Sequence, residues 1–168
     1  ARDLLEPLDD ALAAVGISPD QFTAAARAGV TVDGKTLGLP IDVWAPLWHV
    51  NMNLMREAGL VEGHKPVLPQ SPEEFYAQAA QFMERTGKPY LVQVTSKDFA
   101  GPMRIFYAWM MQQGAPLFKD ALHSNFDSPE GRRALDFMRE LYQRGFSAKN
   151  LDYAGAVSAS LKGKGGVL

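Results

Sequence analysis

The chain has 168 residues, with 17 basic and 19 acidic side chains that give a net charge of −2 at pH 7 when histidine is neutral. This balance gives no electrostatic reason to expect nucleic acid or an anionic membrane surface as a partner. The sequence contains no cysteine, which excludes disulfides, zinc–thiolate centres and cysteine nucleophiles.

The first 40 residues predict a helix followed by a hairpin. The helix is expected over 17–29, because Ser18 is a good N-cap and Gly29 is a typical stop. Asp33 and Gly34 then lie between two short apolar runs, and this dipeptide favours a tight hairpin turn because both residues tolerate positive φ.

Residues 41–50 predict a strand with two different faces. Asp42, Trp44 and Trp48 fall on one face, whereas His49 shares the other face with apolar residues and is interpreted as a satisfied core histidine. Aromatic faces suit stacking on sugar rings, and carboxylates accept hydrogen bonds from hydroxyl groups. The pattern alone leaves open whether Trp44 fills the core or forms the wall of a binding site.

The remainder of the chain alternates helices with short strands, which predicts an α/β class. Capping serines, stop glycines and apolar stripes at helical spacing define most of the boundaries. The expected elements are a helix capped by Asn51 and ended by Gly59, a surface linker over 61–70, a helix over 71–87, a strand over 89–96, a largely buried helix over 101–113, a short strand pair within 116–127, and helices over 128–145 and near 152–162.

Motifs for catalysis, cofactors and metals are missing or mismatched. The basic, glycine-rich stretch 162–166 follows a helix and lacks the spacing of a phosphate-binding loop. The three histidines show no ligand spacing, so neither a metal nor a cofactor is expected. Asp42 and Asp98 are candidate carboxylates for glycoside hydrolysis, but nothing in the sequence brings them together, so no catalytic residue is assigned.

Several segments, taken in order, resemble the family-1 extracellular solute-binding proteins of ABC importers, the carbohydrate-binding group that includes maltose-binding protein. The family's elements correspond to DGK and LP at 33–40, N-x-x-x-M-x-x-AGL at 51–60, SPEEF at 71–75, WMMQQGAPLF at 109–118, FDSPEGRRALDFMREL at 126–141 and LKGKGGVL at 161–168. Val50, Pro72 and Leu161 depart from the family's usual Tyr, Trp and Phe. The resemblance covers nearly the whole chain.

The resemblance implies a lobe of the type II periplasmic-binding-protein fold, mostly the second lobe together with the hinge crossing. Residues 1–40 would be the end of the amino-terminal lobe, and residues 41–168 the hinge crossing and an incomplete second lobe. Members of the family are considerably longer, so the chain is expected to be an internal piece. A single lobe offers half a cleft, and we therefore expect this piece to fold but to bind sugar weakly or not at all.

The resemblance also implies a ligand site between two lobes. Asp42 would accept hydrogen bonds from sugar hydroxyls and Trp44 would stack on a ring, while Phe99, Met103 and Arg104 would supply the second group of contacts. Trp48, farther along the strand, would pack beneath the hinge instead of forming a second stacking surface. The expected protein is a monomeric receptor, periplasmic or extracellular and optionally lipid-anchored, that delivers a carbohydrate to ABC permease membrane subunits.

Three alternatives stay open at this stage. The solute could be a glycerophosphodiester, a polyamine or an iron chelate, although a cationic solute would need more carboxylates than Asp42 and Asp98. The protein could be a carbohydrate-active enzyme, or a folded interaction module without a small-molecule ligand.

Overall fold

A computed structural model describes residues 4–43, 47–95 and 100–168. The chain divides into two compact units, Ala1–Leu47 and Trp48–Leu168. The expected division into lobe segments at 40/41 stays a prediction. In the described part of the chain, none of the helices has both the length and the apolar character needed to cross a membrane.

The first unit contains short helices and one hairpin. Its elements are α1 (Asp9–Ala14), a 3-10 turn (Pro19–Gln21), α2 (Ala24–Val30) and the antiparallel strands β1 (Thr31–Val32) and β2 (Lys35–Thr36). The helix predicted over 17–29 is divided in two. Ser18 caps the 3-10 turn, and Thr23 accepts a hydrogen bond from the Ala26 amide and so starts α2. The local capping signals explain the break, because each cap begins a separate helical turn.

The predicted hairpin turn is confirmed. Asp33 and Gly34 have φ angles of 49° and 75°, which is the left-handed conformation that a tight hairpin turn requires. The Leu8 amide donates to the Thr36 carbonyl at 2.8 Å, and the Asp9 carboxylate accepts from the Thr36 amide. The residues before α1 are therefore tied to the hairpin.

The second unit consists of five helices in its described residues and one additional hairpin. Its elements are α3 (Met52–Glu57), β3 (Val61–Glu62), β4 (Lys65–Pro66), α4 (Pro72–Thr86), α5 (Ala100–Gln112), α6 (Pro129–Gln143) and α7 (Tyr153–Leu161). Asn51, Ser71, Ser128 and Asp152 cap α3, α4, α6 and α7 through their side chains. The predicted helices are confirmed, but the linker expected over 61–70 is wrong, because β3 and β4 pair there.

Four short extended segments form a small sheet in this unit. In spatial order they are 49–51, 166–168, 90–92 and 146–148. Segment 49–51 runs antiparallel to 166–168, and the other contacts are parallel. The strand predicted over 41–50 is therefore mostly wrong. Pairing begins at His49, where 166–168 lies alongside, and 41–43 have no ladder partner among the described residues.

The glycine-rich stretch 162–166 has a packing role within this sheet. A Cβ atom on Gly165 would overlap the Val92 side chain, and one on Gly166 would lie 2.8 Å from the Phe82 ring. Since real Cβ atoms do not approach that closely, only glycine lets the chain pass this point of the core. The structure thus supplies a packing reason for these glycines.

The core of the second unit is centred on aromatic rings. Phe75 is fully buried, and its ring makes edge contacts with Trp48, Tyr76, Tyr90, Trp109 and Phe137. The helix over 101–113 was expected to be largely buried, but in α5 only Met110 is fully buried and Met111 is 62% exposed. α5 packs on α6 and, through Trp109, on Phe75 of α4, and most of its residues are half-buried rather than fully buried.

Candidate functional site

The residues predicted to bind ligand fall in both units. Asp42 is exposed in the first unit, and Met103 and Arg104 lie on the early turns of α5 in the second, with Arg104 exposed and Met103 half-buried. Trp44 and Phe99 lie outside the described residues. The structure therefore brings Met103 and Arg104 together on one helix, and the joint site with Asp42 stays a prediction.

α5 begins five residues after Thr95, which follows segment 90–92 of the small sheet in the chain. Segments 90–92 and 146–148 are parallel, so their carboxyl ends meet at the same edge. The chain beyond both ends is fastened by Thr95, whose amide donates to the Leu151 carbonyl at 2.7 Å and whose hydroxyl accepts from the Leu151 amide at 2.9 Å. Ligands of α/β proteins bind outside the carboxyl ends of parallel strands, and the chain leads from this end of the sheet toward α5.

Hydrogen bonds among Gln93, Tyr142 and Ser147 stabilise the same end of the sheet. The Gln93 side-chain amide donates to the Tyr142 hydroxyl and to the Ser147 hydroxyl, both at 3.2 Å. Burial raises the pKa of the Tyr142 phenol, although the hydrogen bonds with Gln93 and Ser147 act in the opposite direction. Tyr142 therefore stays neutral at physiological pH and serves as a fixed hydrogen-bonding group.

A separate pocket of about 560 Å³ opens in the second unit. It lies between the amino end of α4, the last turns of α5 and one side of α6. Its aromatic lining residues are Trp48, Phe75, Tyr76, Trp109 and Phe137. A volume of this size is within the range of small-molecule sites in proteins.

Ion pairs surround this pocket. Arg133 contacts Glu130 at 2.6 Å and donates from Nε to the Gln113 side chain at 2.7 Å. The Glu140 Oε2 atom is buried and lies 2.8 Å from the Arg144 guanidinium, an ion pair without hydrogen-bond alignment. Such partly exposed pairs add little stability, but they neutralise most of the charge around the opening.

Tyr76 shows the effect of these surroundings on a lining residue. Burial raises the pKa of its phenol, and the nearby Glu140 carboxylate raises it further. The Arg144 guanidinium lies 4.6 Å from the centre of the Tyr76 ring and acts in the opposite direction. The Tyr76 ring, on α4, therefore lies against the Arg144 guanidinium that follows α6, and its phenol stays neutral at physiological pH.

Two sequence interpretations near this pocket change. Trp48 was interpreted as packing beneath the hinge, but only one edge of its indole contacts Phe75, at 6.4 Å between ring centroids, and 45% of the residue is exposed. His49 was interpreted as a core histidine, but its side chain is exposed and its backbone pairs with Leu168. The interpretations of Trp48 and His49 both assumed a regular strand over 41–50, whereas backbone pairing starts only at His49.

A search for metal ligands over the three described ranges finds no group of three or more histidine, cysteine, aspartate or glutamate side chains. The described pocket offers aromatic surfaces, amides and carboxylates to a ligand.

The fold and the edge of the sheet define an α/β lobe of the type II periplasmic-binding-protein class, and that predicted fold is confirmed. The chain belongs to the bacterial extracellular solute-binding protein family, whose model matches residues 1–163. The structural neighbours described below are binding proteins by their own descriptions. A comparison with curated proteins gives no match.

Solved structures share this fold over most of the chain. The sugar-binding protein MalE from Xanthomonas citri is 22% identical over 98% of this chain, with a TM-score of 0.74. UgpB from Mycobacterium tuberculosis, solved with glycerophosphocholine, is 19% identical over 97%, also with a TM-score of 0.74. A cyclic alpha-maltosyl-1,6-maltose binding protein from Arthrobacter globiformis is 24% identical over 98%, with a TM-score of 0.70. The chain spans 40–41% of the length of these three proteins.

Proposed function

We propose that this chain is part of the substrate-binding component of an ABC transporter, that it binds a sugar or oligosaccharide between two lobes, and that the whole receptor delivers it to the permease. The observation that carries the proposal is the family match over residues 1–163. Two of the neighbours described above are, by their own descriptions, a sugar-binding and a maltosyl-maltose-binding protein. A location in the periplasm or outside the cell, a monomeric state and an optional lipid anchor belong to the same proposal.

The ligand contacts that we propose are Asp42, Trp44, Phe99, Met103 and Arg104. Asp42 is exposed and its carboxylate would accept hydrogen bonds from hydroxyl groups. Arg104 lies on the first turns of α5, the helix that follows segment 90–92 in the chain, and its guanidinium would donate to ring or hydroxyl oxygens. Trp44 and Phe99 would stack on the apolar faces of the sugar rings.

A second candidate solute is a glycerophosphodiester. UgpB, solved with glycerophosphocholine, matches the fold of this chain with the same TM-score as MalE. Arg104 would then pair with the phosphate, because guanidinium groups recognise phosphate oxygens through paired hydrogen bonds. A polyamine is less favoured, since Asp42 is the single carboxylate among the proposed contacts.

Calorimetric titration with a panel of solutes tests the proposal. We expect binding of maltose or longer maltooligosaccharides, weak because one lobe supplies half of a cleft, and no binding of spermidine. Replacing Asp42 by Asn should weaken that binding about tenfold, whereas Glu62→Gln, an exposed carboxylate on β3, should leave it unchanged. Binding of glycerophosphocholine in place of every saccharide would support the second candidate instead.

We further propose that the chain does not catalyse hydrolysis of its ligand. No converging carboxylate pair is assigned among the proposed contacts, and glycoside cleavage needs two. Incubation with a chromogenic glycoside should release no chromophore above the rate of buffer alone. Release that is lost in Asp42→Asn would revive the enzyme alternative.

A further inference from the structure

The pocket between α4, α5 and α6 is lined by residues other than the proposed cleft contacts on α5. All of its lining residues belong to the second unit, and neither Met103 nor Arg104 is among them. Gln112, which lines the pocket, follows Arg104 by two helical turns of α5, a rise of about 12 Å. A ligand bound here would contact the far end of the helix.

Aromatic rings give the pocket a firm apolar wall. Trp48 and Trp109 both make edge contacts with the buried Phe75, at 6.4 Å each and with interplanar angles of 81° and 90°. Trp109 also lies 4.2 Å from Phe137. Because the rings are held by the core, while Trp48 keeps 45% of its surface exposed, a flat apolar surface is available without rearrangement.

The polar groups around the opening fall into two sets. Arg133 pairs with Glu130, and Asp136 and Glu140 pair with the arginines that follow them by three and four residues. By contrast, the side chains of Glu73 and Gln112 are exposed and make no hydrogen bond or ion pair with any described residue. One carboxylate and one amide are therefore available to a ligand, beside the aromatic wall.

This combination selects a neutral, hydroxyl-rich ligand. The charged side chains around the opening are mostly paired with opposite charges, so they do not strongly attract either an anion or a polycation. The polar side chains at the opening also make the pocket a poor fit for a lipid chain. Sugar rings have an apolar C–H face for the indole and hydroxyl groups for carboxylate and amide. We infer that the pocket is a second carbohydrate site that takes one or two sugar rings, with Trp48 as stacking surface and Glu73 and Gln112 as hydrogen-bonding groups. The inference goes beyond the proposed cleft site and depends on different residues.

Indole signals of the 168-residue chain test this directly. The sequence has three tryptophans, so a nitrogen-15 NMR spectrum shows three side-chain N–H signals, assigned with Trp48→Phe and Trp44→Phe. On titration with millimolar maltose, cellobiose or laminaribiose, we expect at least one of these sugars to shift the Trp48 and Trp109 signals in a saturable manner. The titration is repeated with Trp44→Phe and Arg104→Ala, and neither change should alter the shifts at Trp48 and Trp109.

Conservative changes at the pocket complete the test. Glu73→Gln keeps the shape of the side chain and should weaken binding about threefold, and Trp48→Leu should weaken it about tenfold. Met111→Ala, an exposed position on the same turn of α5, is the matched control and should bind as wild type. Shifts confined to Trp44, or wild-type affinity in folded Trp48→Leu, would place sugar binding in the cleft alone and overturn the inference. No saturable shift at Trp48 with any of the three sugars would also overturn it, whatever happens at Trp44.

Discussion

The indole of Trp109 on α5 and the ring of Phe137 on α6 lie 4.2 Å apart, centroid to centroid, with an interplanar angle of 49°. This contact joins two of the helices that enclose the pocket, and Phe137 is 6% exposed. Since α5 and α6 also share the most extensive helix contact in the second unit, the pair fixes where the last turns of α5 lie.

Truncation of Phe137 should therefore be costly. We expect Phe137→Ala to lower the free energy of unfolding by about 3–5 kcal/mol, because it removes a buried ring and leaves a cavity. Leu135→Ala, two residues away and 61% exposed, should change stability by less than about 0.5 kcal/mol. Urea denaturation followed by far-ultraviolet circular dichroism measures both, and equal losses would contradict the described burial.

Replacing a glycine of α6 by alanine should destabilise the chain, although alanine has the higher helix propensity. Gly131 lies near the start of the helix, and a Cβ atom there would overlap the backbone carbonyl of Phe126. Alanine is favoured over glycine in a helix by about 1 kcal/mol, yet we expect Gly131→Ala to destabilise the chain by about 1–3 kcal/mol through this overlap. Gly29→Ala in α2, where no atom lies within 4 Å of the added Cβ, should be neutral or slightly stabilising.

The phenol of Tyr90 should make the second unit sensitive to high pH. Its ring is fully buried, and burial raises the pKa of Tyr90 from 10 to about 12. The folded state holds the proton more tightly than the unfolded state, so the contribution is complete below pH 10. It decreases as the pH rises toward 12, by about 2–3 kcal/mol in total.

Absorbance of tyrosinate checks this expectation. The phenol of Tyr90 should ionise about two pH units later than the ordinary tyrosine pKa of 10. Tyr90→Phe should remove the late step and reduce the loss of stability between pH 10 and 12, whereas Tyr153→Phe, at a position that is 70% exposed, should leave the late step in place. An unchanged late step in folded Tyr90→Phe would assign it to another tyrosine.

The two hydrogen bonds between Thr95 and Leu151 should stabilise the chain just beyond the carboxyl ends of segments 90–92 and 146–148. The Leu151 amide donates to the Thr95 hydroxyl at 2.9 Å, and Thr95→Val removes the acceptor while keeping the shape. We expect a loss of about 1 kcal/mol and faster hydrogen exchange of the Leu151 amide. Thr95→Ser retains the acceptor and should restore slow exchange; equal exchange rates in all three proteins would show that the bond is not formed in solution.

The helices could be predicted from the sequence because their signals are local. Ser71 and Ser128 each precede a proline and an apolar stripe, and both caps are formed as expected. The Asp33–Gly34 turn is equally local. These features depend on neighbours three or four residues away, so a single sequence contains the needed information.

The sheet and the pocket could not be predicted in the same way, because their partners are distant in the chain. Residues 49–51 pair with 166–168, so the alternation over 41–50 indicated a longer strand than pairing allows. Trp48 and Trp109 come together only through Phe75. Neither tryptophan carries a local signal for this contact. Trp48 is interpreted as packing from the sequence because the family resemblance places the ligand contacts at Asp42 and Trp44, and a strand would carry Trp48 away from them. Met103 and Arg104 are predicted as ligand contacts from the family resemblance and not from any periodicity of the sequence.

Residue-resolved sugar binding tests the central claim most directly. Backbone amide signals of the nitrogen-15-labelled chain are followed during titration with maltotriose and, in parallel, with glycerophosphocholine. The proposed function predicts progressive shifts of residues 42–44 and 99–104 with the saccharide, reduced in Arg104→Ala. Shifts of these residues with glycerophosphocholine and none with any saccharide would contradict a sugar-binding receptor.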